Sequence, residues 1–320
     1  MEQAELNKII QQARLNRSKS LYLQNCRISS LPESIGNLVN LTHLYLPGNQ
    51  LTGLPESIGN LVNLTHLYLS ANQLTSLPKS MGNLANLVHL SLGKNQIISL
   101  PESIGNLIIL TYLNLEKNQL ICIPDSIGNL VKLTYLELGK NQLTSLPESI
   151  GNLVKLSWLN LAKNKLTSMP KSIGNLSKLN WIDCTGNPLV DLSNFQAASK
   201  LQGVRLFDVT FRRQYWTKLS KWKSKWLLDE DNAEIRIALI AQIGYKKICR
   251  ELNAITTDTW REYTLLKITS SEEPMVLLKM TCPSTEHTHI LCVPPEMTSA
   301  EAAITWVNHG IHPDRFAAQT

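Results

Sequence analysis

The densest run of chemically capable side chains lies near the C-terminus, where Cys282, His287, His289 and Cys292 form a C-x4-H-x-H-x2-C sequence. Thiolate and imidazole are the usual ligands of a tetrahedral zinc. The stretches Met275 to Cys282 and His287 to Val293 read as two strands of a hairpin around Pro-Ser-Thr-Glu, with Cys282 opposite His287 and Met280 opposite His289. Side chains alternate across a strand, so Cys292 falls on the other face and four-fold closure fails. Three further histidines, His43, His66 and His89, recur at a fixed interval. Rings held in successive parallel strands splay and do not converge on one point at about 2.0 Å. Neither cluster predicts a metal site, and no cofactor is expected. The GxxxxGK[ST] phosphate loop and the G-x-S-x-G elbow are both missing from the sequence. No catalytic residue is therefore assigned, and the chain does not read as an enzyme.

The elements that position these side chains are repeats. Residues 31 to 53 and 54 to 76 differ at only three positions, and the starting residues Leu31, Leu54, Leu77, Leu100, Ile123, Leu146 and Met169 keep a period of 23 without a slip. A period of this length marks stacked supersecondary units that bury a continuous core only together. Within each unit an LxxLxLxxNxL pattern recurs, as at Leu41, Leu44, Leu46, Asn49 and Leu51, and again at Leu156, Leu159, Leu161, Asn164 and Leu166. A worn early copy supplies Leu21, Leu23, Cys26 and Ile28, and a late one Leu179, Ile182, Cys184, Asn187 and Leu189, giving eight copies; Leu201, Val204 and Leu206 form a degenerate ninth.

This pattern, from about Ser18 to Asn187, resembles the leucine-rich repeat. The resemblance implies a curved solenoid of parallel strands in which the asparagine column, Asn49 to Asn164, pairs backbone groups at each bend. The LPxSIGNL variant is similar to that of plant intracellular Ras-group-related and Shoc2-like proteins and of many bacterial repeat proteins. Those families imply scaffolding in intracellular signalling, with a protein partner such as a small GTPase.

Because packing dictates the leucines, partner choice must reside in the outward strand positions. One column reads Ser20, His43, His66, His89, Tyr112, Tyr135, Trp158, Trp181, and its neighbour reads Tyr22, Tyr45, Tyr68, Ser91, Asn114, Glu137, Asn160, Asp183. Seven steps of about 4.8 Å span about 34 Å, long enough for a protein interface. Tyrosine and tryptophan are favoured anchors because they bury large area and keep a polar handle. The candidate partner-binding residues are His43, Tyr45, His66, Tyr68, His89, Tyr112, Tyr135, Glu137, Trp158, Trp181 and Asp183. Recent duplication alone accounts for the copied His and Tyr pairs, but not for Glu137, Trp158, Trp181 and Asp183, which break the copy. A third column, Lys94, Lys117, Lys140 and Lys163, reads as a solvated basic edge.

Composition changes after the repeats. The chain of 320 residues carries a net charge of +6, but residues 200 to 228 hold eight bases against Asp208, so the remainder is close to neutral. A local excess argues against general affinity for nucleic acid. Tyr215, Leu219, Trp222 and Trp226 fall at helical spacing, predicting one amphipathic helix over 212–228 that covers the open end of the stack, with Lys218, Lys221 and Lys225 alongside. A second helix is expected after Asp231, with Ile235, Leu239 and Ile243 on its apolar face and Gly244 ending it. A third is expected behind a Thr298–Glu301 capping box, stopped by Gly310. The tail from Val293 resembles an uncharacterised domain found in bacteria, including cyanobacteria. A repeat array followed by a cysteine-bearing domain is also similar to bacterial effector ubiquitin ligases, but the Cys-x-Asp motif that resemblance implies is absent at Cys249, Cys282 and Cys292.

The N-terminal segment carries Glu2 and Glu5 and no long apolar run, so neither a secretory signal nor a membrane span is expected. The six cysteines show no clustering at the ends of the array, which fits a reducing compartment, the cytoplasm. Cys26, Cys122 and Cys184 fall one per repeat and are expected in the interior. The fold expected is α/β: an N-terminal helical cap (1–17), a leucine-rich-repeat solenoid (18–210) and a small α+β domain (211–320). The function expected is partner binding on the concave sheet. The alternative is an enzymatic or metal-binding C-terminal module delivered by the repeats.

Overall fold

The computed structural model describes residues 1–228, 230, 232–269, 275–281 and 288–307. The chain divides into two compact units, Met1–Thr217 and Lys218–Thr320.

The first unit opens with α1 (Gln3–Leu15), which buries Leu6, Ile10 and Ala13. Nine parallel strands follow, one per repeat: β1 (Ser20–Tyr22), β2 (His43–Tyr45), β3 (His66–Tyr68), β4 (His89–Ser91), β5 (Tyr112–Asn114), β6 (Tyr135–Glu137), β7 (Trp158–Asn160), β8 (Trp181–Asp183) and β9 (Val204–Leu206). The degenerate ninth copy is therefore a strand. A final strand, β10 (Val209–Phe211), turns back and pairs antiparallel with β9. Register is unbroken from β1 to β8, so equivalent residues face one another: His43 opposes His66, Tyr112 opposes Tyr135 and Trp158 opposes Trp181.

Each strand from β1 to β8 has one central leucine or isoleucine facing inward, and Leu44, Leu67, Leu90, Leu113, Leu136 and Leu159 have no solvent exposure. Each repeat returns through a short 3-10 turn, and a proline opens all of these but the last, since its ring holds φ near the required value, −69° at Pro55. Glycine in Ile-Gly-Asn permits the stacking of these turns. A Cβ built at Gly105 would lie 2.5 Å from the Ser126 carbonyl oxygen of the next repeat.

The bend between strand and turn would leave backbone groups buried without partners, and asparagine supplies them. Asn118 Nδ2 donates to the Leu92 and Leu115 carbonyls at 3.0 Å each, and its Oδ1 accepts from the Ile97 N–H at 3.0 Å. The same three bonds recur at Asn72, Asn95, Asn141, Asn164 and Asn187. Asn49 makes them too, and adds the Cys26 N–H.

The helix expected over 212–228 is replaced by three 3-10 turns, at Arg213–Tyr215, Leu219–Lys221 and Ser224–Leu227. Tertiary partners take carbonyls that a helix would use internally. Gln196 Nε2 donates to the carbonyls of Arg213 and Trp216, and Lys247 Nζ to that of Trp222. Phe195, Phe211, Tyr215 and Trp216 form a buried aromatic cluster at the end of the first unit. The interior expectation for the cysteines holds only for Cys184; Cys26 is half-buried and Cys122 exposed, because Cys122 occupies the outward serine position of its repeat.

The second unit contains α2 (Ala233–Ile243), α3 (Tyr245–Glu251), an antiparallel meander of β11 (Ile255–Trp260), β12 (Tyr263–Ile268), β13 (Met275–Thr281) and β14 (Thr288–Val293), and α4 (Ala300–Val307). Asn232 caps α2 by accepting the Ile235 N–H, and Gly244 ends it with φ of +83°. Tyr263, Leu265, Val276, Leu278, Val293, Ala303 and Ile304 form the core. The cap of α4 is Ser299, whose Oγ accepts the Ala302 N–H, one residue beyond the expected Thr298–Glu301 box. Gly310 lies outside the described residues.

Replacing Asn118 by alanine removes three buried hydrogen bonds and strands their backbone partners, which should cost about 3 kcal/mol. The exposed neighbour Gln119→Ala should cost less than about 0.5 kcal/mol. Urea unfolding followed by circular dichroism checks both; similar midpoints for the two variants would contradict the structural role of the asparagine.

Candidate functional site

Strand register places the candidate residues in two columns on the concave sheet. The first is a continuous stack of rings. Centroids lie 4.4 Å apart for His43 and His66, 5.7 Å for His66 and His89, 4.1 Å for His89 and Tyr112, and 4.5 Å for Tyr112 and Tyr135. The series ends with Tyr135 and Trp158 at 5.7 Å and Trp158 and Trp181 at 3.6 Å, the last pair inclined by 9°. A second stack joins Tyr22, Tyr45 and Tyr68 at 4.7 Å per step. Tyr68 then meets His89 across the columns at 4.8 Å, tilted by 39°. Interior rings use both faces on each other and present their edges to solvent.

A track of hydroxyls beside the first column steadies it. Thr42, Thr65, Thr111, Thr134 and Ser157 each donate to the carbonyl one repeat earlier. Thr42 Oγ1 and Thr65 Oγ1 also lie 2.9 Å from Nδ1 of His43 and His66. A carbonyl can only accept, so each hydroxyl proton is already engaged and each imidazole must donate from Nδ1. That assigns the tautomer and leaves Nε2 as an acceptor.

His66 and His89 favour the neutral ring. Burial and the neighbouring His43 lower the pKa of His66, and burial together with His66 pushes His89 down to about 4. Burial also raises the Tyr68 and Tyr135 hydroxyls above the ordinary phenol range.

The second column changes character along the array. After Tyr68 it continues with Ser91, Asn114, Glu137, Asn160 and Asp183. Glu137 and Asp183 are buried, at 6% and 8% exposure, whereas the ring-bearing candidates are half-buried. Glu137 accepts from the Tyr135 hydroxyl at 3.1 Å and the Gly139 N–H at 3.3 Å, and burial raises its pKa. Asp183 Oδ1 accepts from the Thr185 N–H at 2.8 Å, and its Oδ2 lies 3.7 Å from Arg205 Nε. Lys94, Lys117, Lys140 and Lys163 are exposed at left-handed turns, with φ between 56° and 59°. Lys140 Nζ pairs with Glu116 at 2.7 Å.

Tyr22, the hydroxyl track, Glu116 and Arg205 belong to this surface but were not among the candidates. The Thr/Ser column was visible at the repeat period, whereas the Arg205 pairing depends on the ninth strand. In the second unit, His289 lies opposite Met280 as expected, and Cys292 opposite Leu277. Cys282 and His287 lie outside the described residues. Among the described residues no three His, Cys, Asp or Glu side chains are grouped to hold a metal ion, and no helix is long and apolar enough to cross a membrane.

The depressed His89 pKa makes a pH prediction. Unfolded His89 takes up a proton near the ordinary 6.5, while the folded ring stays neutral to about 4, so folding stability is lost as pH falls through that window. His89→Tyr, which extends the tyrosine stack of the adjoining strands, should flatten the fall in melting temperature between those limits. A variant as acid-sensitive as the parent would contradict the assignment.

Comparison with known proteins fits this geometry. Residues 2–97 and 101–245 match the family model described as leucine-rich repeat region. No curated protein matches the chain. Among solved structures, a Leptospira interrogans leucine-rich-repeat protein is 36% identical with a TM-score of 0.54, over 57% of this chain and 47% of its own. The PEPR1–AtPEP1 structure matches at 34% identity and a TM-score of 0.52, over 59% of this chain and 28% of the other. An octameric complex of latrophilin 3, Unc5D and the leucine-rich repeats of FLRT2 matches at 26% identity and a TM-score of 0.51, over 58% of this chain and 60% of the other. In each case the match spans less than two thirds of the neighbour's length. On the repeat, the solenoid and the family match over most of its length, the chain belongs to the leucine-rich repeat family.

Proposed function

We propose that the chain is a protein-interaction scaffold, working in intracellular signalling, that holds a protein partner against the two columns of the concave sheet. The observation that carries this reading is the unbroken ring stack from His43 to Trp181, half-exposed along one face of a rigid sheet. Rings packed at 3.6 to 5.7 Å in the first column are already ordered, so a partner need not immobilise them on binding. The solvated edges combine apolar area with the Tyr hydroxyls and histidine Nε2 acceptors, the mixed character of interface hot spots.

Two solved neighbours are themselves complexes, PEPR1 with AtPEP1 and FLRT2 with latrophilin 3 and Unc5D, which supports partner binding as the use of this architecture. The similarity of LPxSIGNL to plant Ras-group-related and Shoc2-like repeats supports a cytoplasmic setting and a small GTPase or another signalling protein as partner. In this reading residues 1–17 cap the stack, residues 18–210 carry the binding face, and the domain that follows transmits the binding event.

The test is affinity capture with the intact chain and a Trp158→Ala/Trp181→Ala variant. The variant should lose a partner at least about thirtyfold in affinity, the effect of truncating hot-spot tryptophans, while keeping its far-ultraviolet circular dichroism. Equal capture by two folded proteins would remove the ring stack from the interface.

A further inference from the structure

From β5 to β8 the second-column side chain accepts a backbone N–H of the turn that follows its strand, and neutral asparagine does this well. Asn114 Oδ1 accepts the Glu116 N–H at 2.9 Å and Asn160 Oδ1 accepts the Ala162 N–H at 2.8 Å. Glu137 does the same job with a longer bond, 3.3 Å to Gly139. The carboxylate between the two asparagines therefore brings a negative charge for which the local backbone has no use.

That charge is buried, at 6% exposure, and its hydrogen-bond donors are neutral. Among the described residues no cationic side chain lies within ion-pair distance of it; the base on the adjoining turn, Lys140, is engaged by Glu116 at 2.7 Å. Beside it the buried Trp158 indole N–H lies close enough to Glu137 to favour the charged carboxylate. A buried charge with only neutral donors is unfavourable for folding. Asp183 repeats the arrangement two strands further on, with Arg205 only loosely placed at 3.7 Å and shared with Asp208 at 3.9 Å.

Resting on the reading of the concave face as the partner surface, we infer that Glu137 and Asp183 are paired recognition sites for two basic side chains on an extended, polyproline-II-like segment of the partner. Two strand spacings separate the carboxylates by about 10 Å. Polyproline II turns every three residues with a rise of about 3.1 Å, so side chains at i and i+3 share a face and lie about 9 Å apart. The spacing thus selects Arg or Lys at every third position. Arginine fits best, since its fork can bond a carboxylate while its stem lies along the edges of Tyr135, Trp158 and Trp181. The lysine edge from Lys94 to Lys163 repels a basic segment from the strand exits and favours its seating over the carboxylates.

Fluorescence anisotropy of the full chain with a fluorescein-labelled peptide of Arg-Pro-Pro repeats tests this, with Gln-Pro-Pro and Glu-Pro-Pro peptides for comparison. The arginine peptide should bind tightest. Glu137→Gln should weaken it about thirtyfold, the effect expected when one side of a desolvated pair is neutralised. Asp183→Asn should weaken it less, because Arg205 already screens that site. Arg205→Ala should strengthen binding by releasing Asp183, a gain that general damage to the fold would not produce. Glu148→Gln, at a 3-10 turn of the return segment, should change nothing. Equal affinity for arginine and glutamine peptides, preference for the glutamate peptide, or a Glu137→Gln variant as tight as Glu148→Gln would each overturn the inference. If Trp158→Ala/Trp181→Ala loses a captured partner that Glu137→Gln retains, the concave face stands as the interface and the basic segment falls. If the double variant retains that partner, the reading of the concave face itself falls.

Discussion

Every feature of the first unit depends on pairing the backbone at one buried bend per repeat. A strand that turns outward leaves two carbonyls and an N–H inside, and the asparagine column joins them with three hydrogen bonds of 2.7 to 3.0 Å. Each asparagine reaches backward to the preceding repeat as well as to its own, since Asn72 Nδ2 bonds both Leu46 and Leu69. The ladder thereby locks the relative height of successive strands. A register slip of one residue would turn every leucine outward and also break these bonds, so the concave columns inherit their alignment from a contact on the inside of the sheet.

Alignment is what converts a list of aromatic residues into a surface. Rings in unregistered strands would meet at random offsets, whereas here His43 opposes His66 and Trp158 opposes Trp181 without a shift. Stacking then follows from the strand spacing of about 4.8 Å, which leaves planar side chains little room for any other packing. The lysines at the strand exits show the cost of regularity. They sit at φ near +57°, where β-carbon sterics disfavour any residue but glycine, as Gly48 and Gly186 do at the ends of the array.

The solenoid was legible because its signal is repeated: eight copies of one pattern reinforce each other, and burial of the leucines follows from their spacing. What was not repeated was harder to read. Tyr215, Leu219, Trp222 and Trp226 satisfy helical spacing, but that spacing does not show that Gln196 and Lys247 would claim the carbonyls between them. The cap of α4 moved from Thr298 to Ser299 because two hydroxyl residues stand in tandem and sequence alone does not choose between them. Cys122 is expected at an interior repeat position, but it stands at the outward one that serine fills in neighbouring repeats. The alignment of the columns follows from strand alternation at the repeat period. The hydroxyl track does not, since threonine beside a strand carries no message until its carbonyl partner is known.

Departures from the copy are the informative positions, and their burial ranks them. A surface residue that drifts costs little, so an altered exposed position says nothing about use. Glu137 and Asp183 are different, because each introduces a carboxylate into a site where the flanking asparagines show a neutral group serving the fold equally well. Burial raises the pKa of Glu137, so the fold works against the charge it carries. Stability alone would favour asparagine or glutamine at this position. A cation brought by a partner reverses that preference, and it does so at the part of the array where the tryptophans stand. On the proposed reading of the concave face, the unfavourable buried charge and the largest rings of the stack place specificity in the C-terminal half of the sheet, while the more uniform His and Tyr strands supply a preformed surface along which the partner would extend.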